Sequence, residues 1–142
     1  MEAAACPPAL VVPRALREQM RAHVEACLPE EACGILGGRG GRAERALAVE
    51  NELHSPTRYR MRAQAQVDAF LRLAGEGLEL CAIYHSHPRG PAGLSPTDLA
   101  EALYPAAVLL VWSPDGEQAG GWRLDGFCAR DGRAAAVELR DE

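Results

Sequence analysis

Residues 78–85 alternate without leaving a polar face: Leu78, Leu80, Ala82 and Tyr84 point one way, and Cys81 and Ile83 point the other, with Glu79 and His85 at the two ends. A strand that is apolar on both sides has to be covered on both sides, so this chain cannot be an open sheet with one wet face. Helical patterns supply the cover. From Pro13, Leu16, Met20, Val24 and Cys27 recur on one face and predict a helix to about Leu28, with Pro13 suited to its first turn. Val67, Phe70, Leu71 and Ala74 line one face of a second helix that Gly75 and Gly77 stop. Ser95-Pro96-Thr97-Asp98 starts a short third helix, with Leu99 and Leu103 expected on its packed side. Strands are expected at Cys33 to Leu36, closed by Gly37 and Gly38, and at Ala46 to Glu50 after a hairpin. Further strands are expected at Ala106 to Trp112, Ala119 to Leu124, Phe127 to Arg130 and Ala134 to Leu139, the last ones separated by Asp-Gly turns. This order predicts an α/β fold with a mixed β-sheet flanked by helices.

The 142 residues suit one domain spanning 1–142, far short of the roughly 250 a TIM barrel needs, and no repeat or linker divides them. The longest wholly apolar run, Ala106 to Trp112, is well under the roughly 20 residues of a membrane span, and Glu2 spoils a basic signal-peptide start. A cytoplasmic protein without membrane attachment is expected. Net charge is -5, which argues against general affinity for nucleic acid or anionic membrane. All 15 cations are Arg, so no side-chain amine is offered for attachment of another protein. The 5 Cys include no CxxC pair, which predicts reduced, mostly buried thiols rather than a disulfide framework or zinc knuckle. Composition leaves a homodimer open.

The strand from Leu78 ends in His85-Ser86-His87, and two His one residue apart on a strand project on the same side, where both imidazoles can meet one small cation. A Pro/Gly loop then folds the chain back towards Asp98, which would complete the two-His, one-carboxylate set that leaves zinc an open position for water. Each piece has a plainer reading. The His pair can be a solvated strand end, and Ser95 to Asp98 is also a capping box; the two readings of Ser95 are compatible. Other metal signatures fail on spacing. Arg89 and Gly90 stand where a metallo-β-lactamase needs Asp and His, a zinc deaminase needs H-x-E and P-C-x-x-C, and a cupin needs Glu soon after the second His. His23 borders the first helix's apolar stripe and reads as structural, and His54 sits in a polar loop with no partner nearby in sequence.

The spacing His85-x-His87, seven residues, Ser95, two residues, Asp98 resembles, without departure, the JAMM signature of the MPN-domain metallopeptidases. Glu31-Ala32-Cys33-Gly34-Ile35-Leu36-Gly37-Gly38 is similar to the E-x-x-G-x-L-x-G segment that carries that family's catalytic glutamate. The resemblance implies a cytidine-deaminase-like sheet, one zinc per chain held by His85, His87 and Asp98, Glu31 as general base, and Ser95 steadying the oxyanion. Glu30 is one residue from Glu31, but strand alternation would send it to the other face. Thr57-Arg58-Tyr59-Arg60-Met61 resembles the matching stretch of small bacterial JAMM proteins, among them the peptidase that releases cysteine from a ubiquitin-like sulfur carrier. Asn51, Arg58, Arg60 and Arg62 are therefore expected at the substrate site, the three guanidinium groups on one side of an extended segment, although a solvated edge is the plainer reading of the three Arg.

The function implied is zinc-dependent hydrolysis of the peptide or isopeptide bond after the Gly-Gly tail of a ubiquitin-like sulfur-carrier or modifier protein. Alternatives are a deubiquitinase-like deconjugating isopeptidase, a non-catalytic MPN scaffold, and a RadC-like nucleic-acid role that the acidic charge disfavours.

Overall fold

The computed structural model describes residues 5–141, so Glu2 lies outside them. The chain runs β1 (Ala9–Val11), α1 (Arg14–Cys27), β2 (Cys33–Arg39), β3 (Arg42–Val49), α2 (Ala63–Gly75), β4 (Glu79–Ser86), α3 (Pro96–Ala100), β5 (Val108–Pro114), β6 (Trp122–Arg130) and β7 (Arg133–Arg140). The sheet is mixed. β4 and β5 are parallel, β2 is antiparallel to both β3 and β4, and β6 is antiparallel to both β5 and β7. β1 pairs in parallel with β7 and touches β3, joining the two edges of the strand order.

The period-two pattern divides the core. Leu36, Ala82, Tyr84, Val108, Leu110 and Trp112 face α1, where Leu16, Met20 and Val24 are buried against them. Ile35, Ile83 and Leu109 face the opposite way and pack on Ala69 and Leu73 of α2. Each fully buried aliphatic side chain contributes about 1.5–3 kcal/mol, so both helices are held by the strand pattern that required them. The motif glycines make this packing close. A Cβ on Gly34 would collide with the Tyr84 ring, which crosses the bare strand so that the Tyr84 hydroxyl meets His23 Nδ1 at 2.6 Å. His23 is structural in this sense.

Several expectations change. On α2 the buried residues are Ala69 and Leu73, whereas Val67 and Leu71 are 49% and 65% exposed. The reason lies across the interface: Leu73 nests where Gly37 has no side chain, and this sets the helix rotation. Leu103 is 77% exposed, because α3 ends at Ala100. Gly37 and Gly38 do not close β2 but carry it through register shifts to Arg39. The expected strands at 119–124 and 127–130 are one strand, β6, preceded by a short 3-10 turn; Asp125-Gly126 lies inside it, where Leu139 packs over Gly126. Asp131-Gly132 does turn, with both φ values positive.

Cys6 and Cys128 form a disulfide, which corrects the expectation of uniformly reduced thiols; Cys27, Cys33 and Cys81 are free. The bond ties the segment before β1 to β6 across a sequence separation of 122 residues. Cross-linking so large a loop restricts the unfolded chain strongly, and a native disulfide of this kind typically contributes about 2–4 kcal/mol. Cys128→Ser is therefore expected to lower the midpoint of urea unfolding without changing the metal site, and an unchanged midpoint in the oxidised protein would show that the bond contributes nothing. Among the described residues no helix is long and apolar enough to cross a membrane.

Candidate metal centre

Chemistry collects at the C-terminal end of β4, on the face opposite α1. Strand alternation sends Tyr84 into the α1 core and His85 to the other side. His87 lies just past the strand, its backbone N–H held by the carbonyl of Trp112 at 2.8 Å. The loop from Pro88 returns to α3, where Ser95 is the N-cap and Asp98 the third helical residue of a complete capping box: the Asp98 N–H donates to Ser95 Oγ at 3.0 Å, and the Ser95 N–H donates to Asp98 Oδ2 at 2.8 Å. The cap aims the carboxylate. Its Oδ2 lies 3.1 Å from His85 Nε2 and 3.1 Å from His87 Nε2, and the two Nε2 atoms are 3.1 Å apart.

Three Lewis bases thus form a triangle with equal edges. A carbonyl can only accept, so the 2.9 Å contact of His87 Nδ1 with Pro91 O keeps a proton on Nδ1, and in the neutral ring Nε2 then offers its lone pair. With both rings neutral, at most one proton is shared among atoms that otherwise repel, and a divalent cation with a taste for imidazole and carboxylate satisfies all three. The donor set fits zinc on its chemistry. Glu31 is close enough to join: its carboxylate oxygen and the ligand nitrogens of His85 and His87 lie within 4.8 Å of one another, and the three residues are buried. Together they form a His/His/Glu cluster capable of coordinating a metal, with Asp98 closing the other side.

Burial raises the Glu31 carboxyl to about 7, opposed by the His87 charge and supported by that of Asp98. Burial pushes the Asp98 carboxyl up too, but hydrogen bonds from His85 and His87 overcome it and hold the group well below the usual carboxylate range. Burial lowers His85. It also works against the charge on His87, where the bonds to Asp98 and Pro91 prevail and raise the net value. Two carboxyl groups in one site are thus pushed in opposite directions, an arrangement that suits one as a proton acceptor near neutral pH and the other as a fixed anion.

Glu31 does not owe its direction to strand alternation, because β2 begins only at Cys33. Its N–H is held by Ser55 O at 2.8 Å and its carbonyl by Asn51 Nδ2 at 3.1 Å. Glu30 turns outward to His54 Nδ1 at 3.0 Å, and Glu50 lies 3.8 Å from the same ring, so His54 does have partners, one of them four residues away. Asn51 is buried.

The Arg triplet is not a row of free cations. Arg58 pairs with Glu101 at 3.0 Å, Arg60 with Glu52 at 3.0 Å and Arg62 with Glu50 at 3.2 Å. Arg58 and Arg60 line a cleft of about 470 Å³ that His85 and Asp98 also line, whereas Arg62 is not among its lining residues. Tyr59, between them, stacks on the His85 ring with centroids 4.7 Å apart and planes at 24°. Sequence reasoning gave Tyr59 no role; its only signal was an aromatic residue between two candidate substrate arginines.

The family model described as prokaryotic homologs of the JAB domain matches residues 13–125. A probable TtuB-protein conjugate cleaving protease of Thermus thermophilus is 41% identical over 111 residues, covering 78% of this chain and 74% of that protein. A CysO-cysteine peptidase of Mycobacterium tuberculosis is 36% identical over 100 residues, covering 69% and 68%. The solution structure of protein DSY2949 from Desulfitobacterium hafniense matches with a TM-score of 0.79 at 28% identity, over 94% of each chain. The family match contains every residue from Glu31 to Asp98, so the sequence and the geometry of the site lead to one assignment: the chain belongs to the prokaryotic homologs of the JAB domain.

Proposed function

We propose that this chain is a cytoplasmic zinc metallopeptidase, one zinc per chain, which hydrolyses the bond after the C-terminal Gly-Gly of a ubiquitin-like sulfur-carrier or modifier protein. The observation that carries the reading is the 3.1 Å triangle of His85 Nε2, His87 Nε2 and Asp98 Oδ2 beside the buried Glu31 carboxyl. Its similarity to proteins named for cleaving conjugates and for releasing cysteine supports the substrate class.

His85, His87 and Asp98 would hold the metal, which leaves Glu31 free to act on protons. Zinc in such a site supplies Lewis acidity, activating water at neutral pH and polarising a carbonyl. Glu31, raised to about 7 by burial, accepts the proton of the attacking water and returns it to the leaving amine. Ser95 Oγ already accepts from the Asp98 N–H, so its own hydroxyl proton stays available for the oxyanion, and the cap and the catalytic role coexist. An extended tail fits the cleft beside Tyr59 and Arg58, and Gly-Gly offers no Cβ to obstruct approach of the scissile carbonyl. Arg58 and Arg60 face that cleft, and exposed pairs such as Arg58–Glu101 are worth only about 0–1 kcal/mol, so a substrate carboxylate can displace Glu101 at little cost.

The test is zinc-loaded protein on a ubiquitin-like carrier ending in Gly-Gly-Cys, compared with the same carrier amidated at its terminus. Cleavage to Gly-Gly is expected, at least about tenfold slower on the amide, corresponding to loss of one charge-assisted bond. Equal rates on acid and amide, or faster cleavage of a Lys-linked conjugate, would favour the deconjugating isopeptidase, and no cleavage of any of them would favour the scaffold.

A further inference from the structure

Asn51 is a buried polar side chain to which the chemistry above gives no task. It is 7% exposed, and every hydrogen-bonding position of its amide is used inside the chain. Nδ2 donates to the carbonyl of Glu31 and to that of Arg58, each at 3.1 Å. Oδ1 accepts from the N–H groups of Leu53 and Arg60, also at 3.1 Å each. A side-chain amide has two N–H donors and one oxygen with two lone pairs, so nothing remains with which to bind a substrate. The expectation that Asn51 touches substrate gives way to a different role.

Its partners belong to two parts of the site. Glu31 carries the candidate base, and Arg58 to Arg60 form the wall of the cleft whose Tyr59 stacks on His85. The bond from Glu31 N–H to Ser55 O joins the same two segments a second time. The neck of the loop is closed by the Asn51–Met61 bridge and by Glu52 N–H to Arg60 O at 2.9 Å. Neither segment is regular secondary structure, so no helix or sheet ladder would otherwise hold the base and the wall in one frame.

We infer that Asn51 is a positioning residue: it binds the backbone of the general base to the substrate wall, so that the Glu31 carboxylate and a bound tail keep a common geometry. Small errors in such geometry are costly, since displacement of a reacting group by about 1 Å can lower a rate by 10²-fold. The inference rests on the hydrolase reading for its effect on catalysis, but not for its effect on structure.

Two substitutions separate the bonds. In Asn51→Asp the side chain keeps its shape and still accepts from Leu53 and Arg60, but it has no proton for the carbonyls of Glu31 and Arg58. Asn51→Ala loses all four bonds, and Asn51→Ser serves in its place should the alanine variant not fold. Amide hydrogen exchange in Asn51→Asp is expected to leave Leu53 and Arg60 protected while exchange at the Glu31 N–H rises by at least tenfold. On the Gly-Gly-Cys carrier, kcat should fall about tenfold or more in all of them, with KM moving less than kcat and zinc remaining at one per chain. Wild-type kcat together with wild-type exchange at Glu31 in Asn51→Asp would overturn the inference, as would a loss that simply tracks the folded fraction or the zinc content. Should the unmodified protein fail to cleave any carrier, the hydrolase reading falls, and the exchange measurement still decides whether Asn51 couples the two segments.

Discussion

Glu31→Gln is expected to bind zinc, fold normally and lose between about a hundredfold and ten-thousandfold in turnover, the range that a general acid-base group contributes. Gln has the shape of Glu and keeps the backbone ties to Ser55 and Asn51, but its amide cannot take a proton at neutral pH. Burial is the largest influence on the Glu31 carboxyl, so replacing it with a neutral amide removes a desolvation cost, and thermal stability of the metal-free protein should stay level or rise. Glu30→Gln is the control. That side chain faces His54 at the surface, and its loss should leave turnover within about twofold, since exposed pairs contribute little. Steady-state kinetics with metal analysis on both variants checks this. A silent Glu31→Gln would remove Glu31 from the reaction, and a lost zinc would make it a ligand instead, an outcome that its proximity to His85 and His87 makes worth measuring.

His87→Ala should lose nearly all zinc on dialysis against a mild chelator, and all turnover with it. Two of three donors then remain, and a site of His85 and Asp98 alone has too few to hold the ion against a competing chelator. The truncation also strands Pro91 O without the Nδ1 donor and leaves Asp98 Oδ2 with one His contact fewer, so the loop between β4 and α3 should loosen. Atomic absorption on protein purified without added metal gives the stoichiometry. Stoichiometric zinc in the dialysed variant would show that His87 is no ligand. Asp98→Asn is a companion that keeps the shape of the side chain. It should also lose zinc affinity, because a neutral amide replaces the anion held between the two imidazoles.

How far the site could be read in advance depends on how local each relation is. His85 and His87 converge because residues two apart on a strand share a face, and Ser95 and Asp98 meet because a capping box spans one helical turn. Such relations need only the periods of strand and helix, and they were legible as spacing. Glu31 is oriented by a side chain and a carbonyl of the 51–60 loop, not by strand alternation, and such contacts across the fold have no spacing to read. The place of Tyr59 between two arginines gave no hint of its contact, because its stacking on His85 joins two segments far apart in sequence.

What the sequence by itself determined is the set of elements and the donor atoms they carry: two amphipathic helices, a strand apolar on both faces, and a His pair followed at a set distance by a capped Asp. Backbone geometry and local hydrogen bonding impose these whatever lies across the core. Tertiary structure decided which face of α2 is buried, through Leu73 seated on bare Gly37, and which charges neutralise Arg58, Arg60 and Arg62. It also decided that Cys6 reaches Cys128 and that β1, three residues long, joins β7 to β3. These depend on which surfaces meet once the chain has closed on itself, and shape complementarity between residues distant in sequence leaves no period to read.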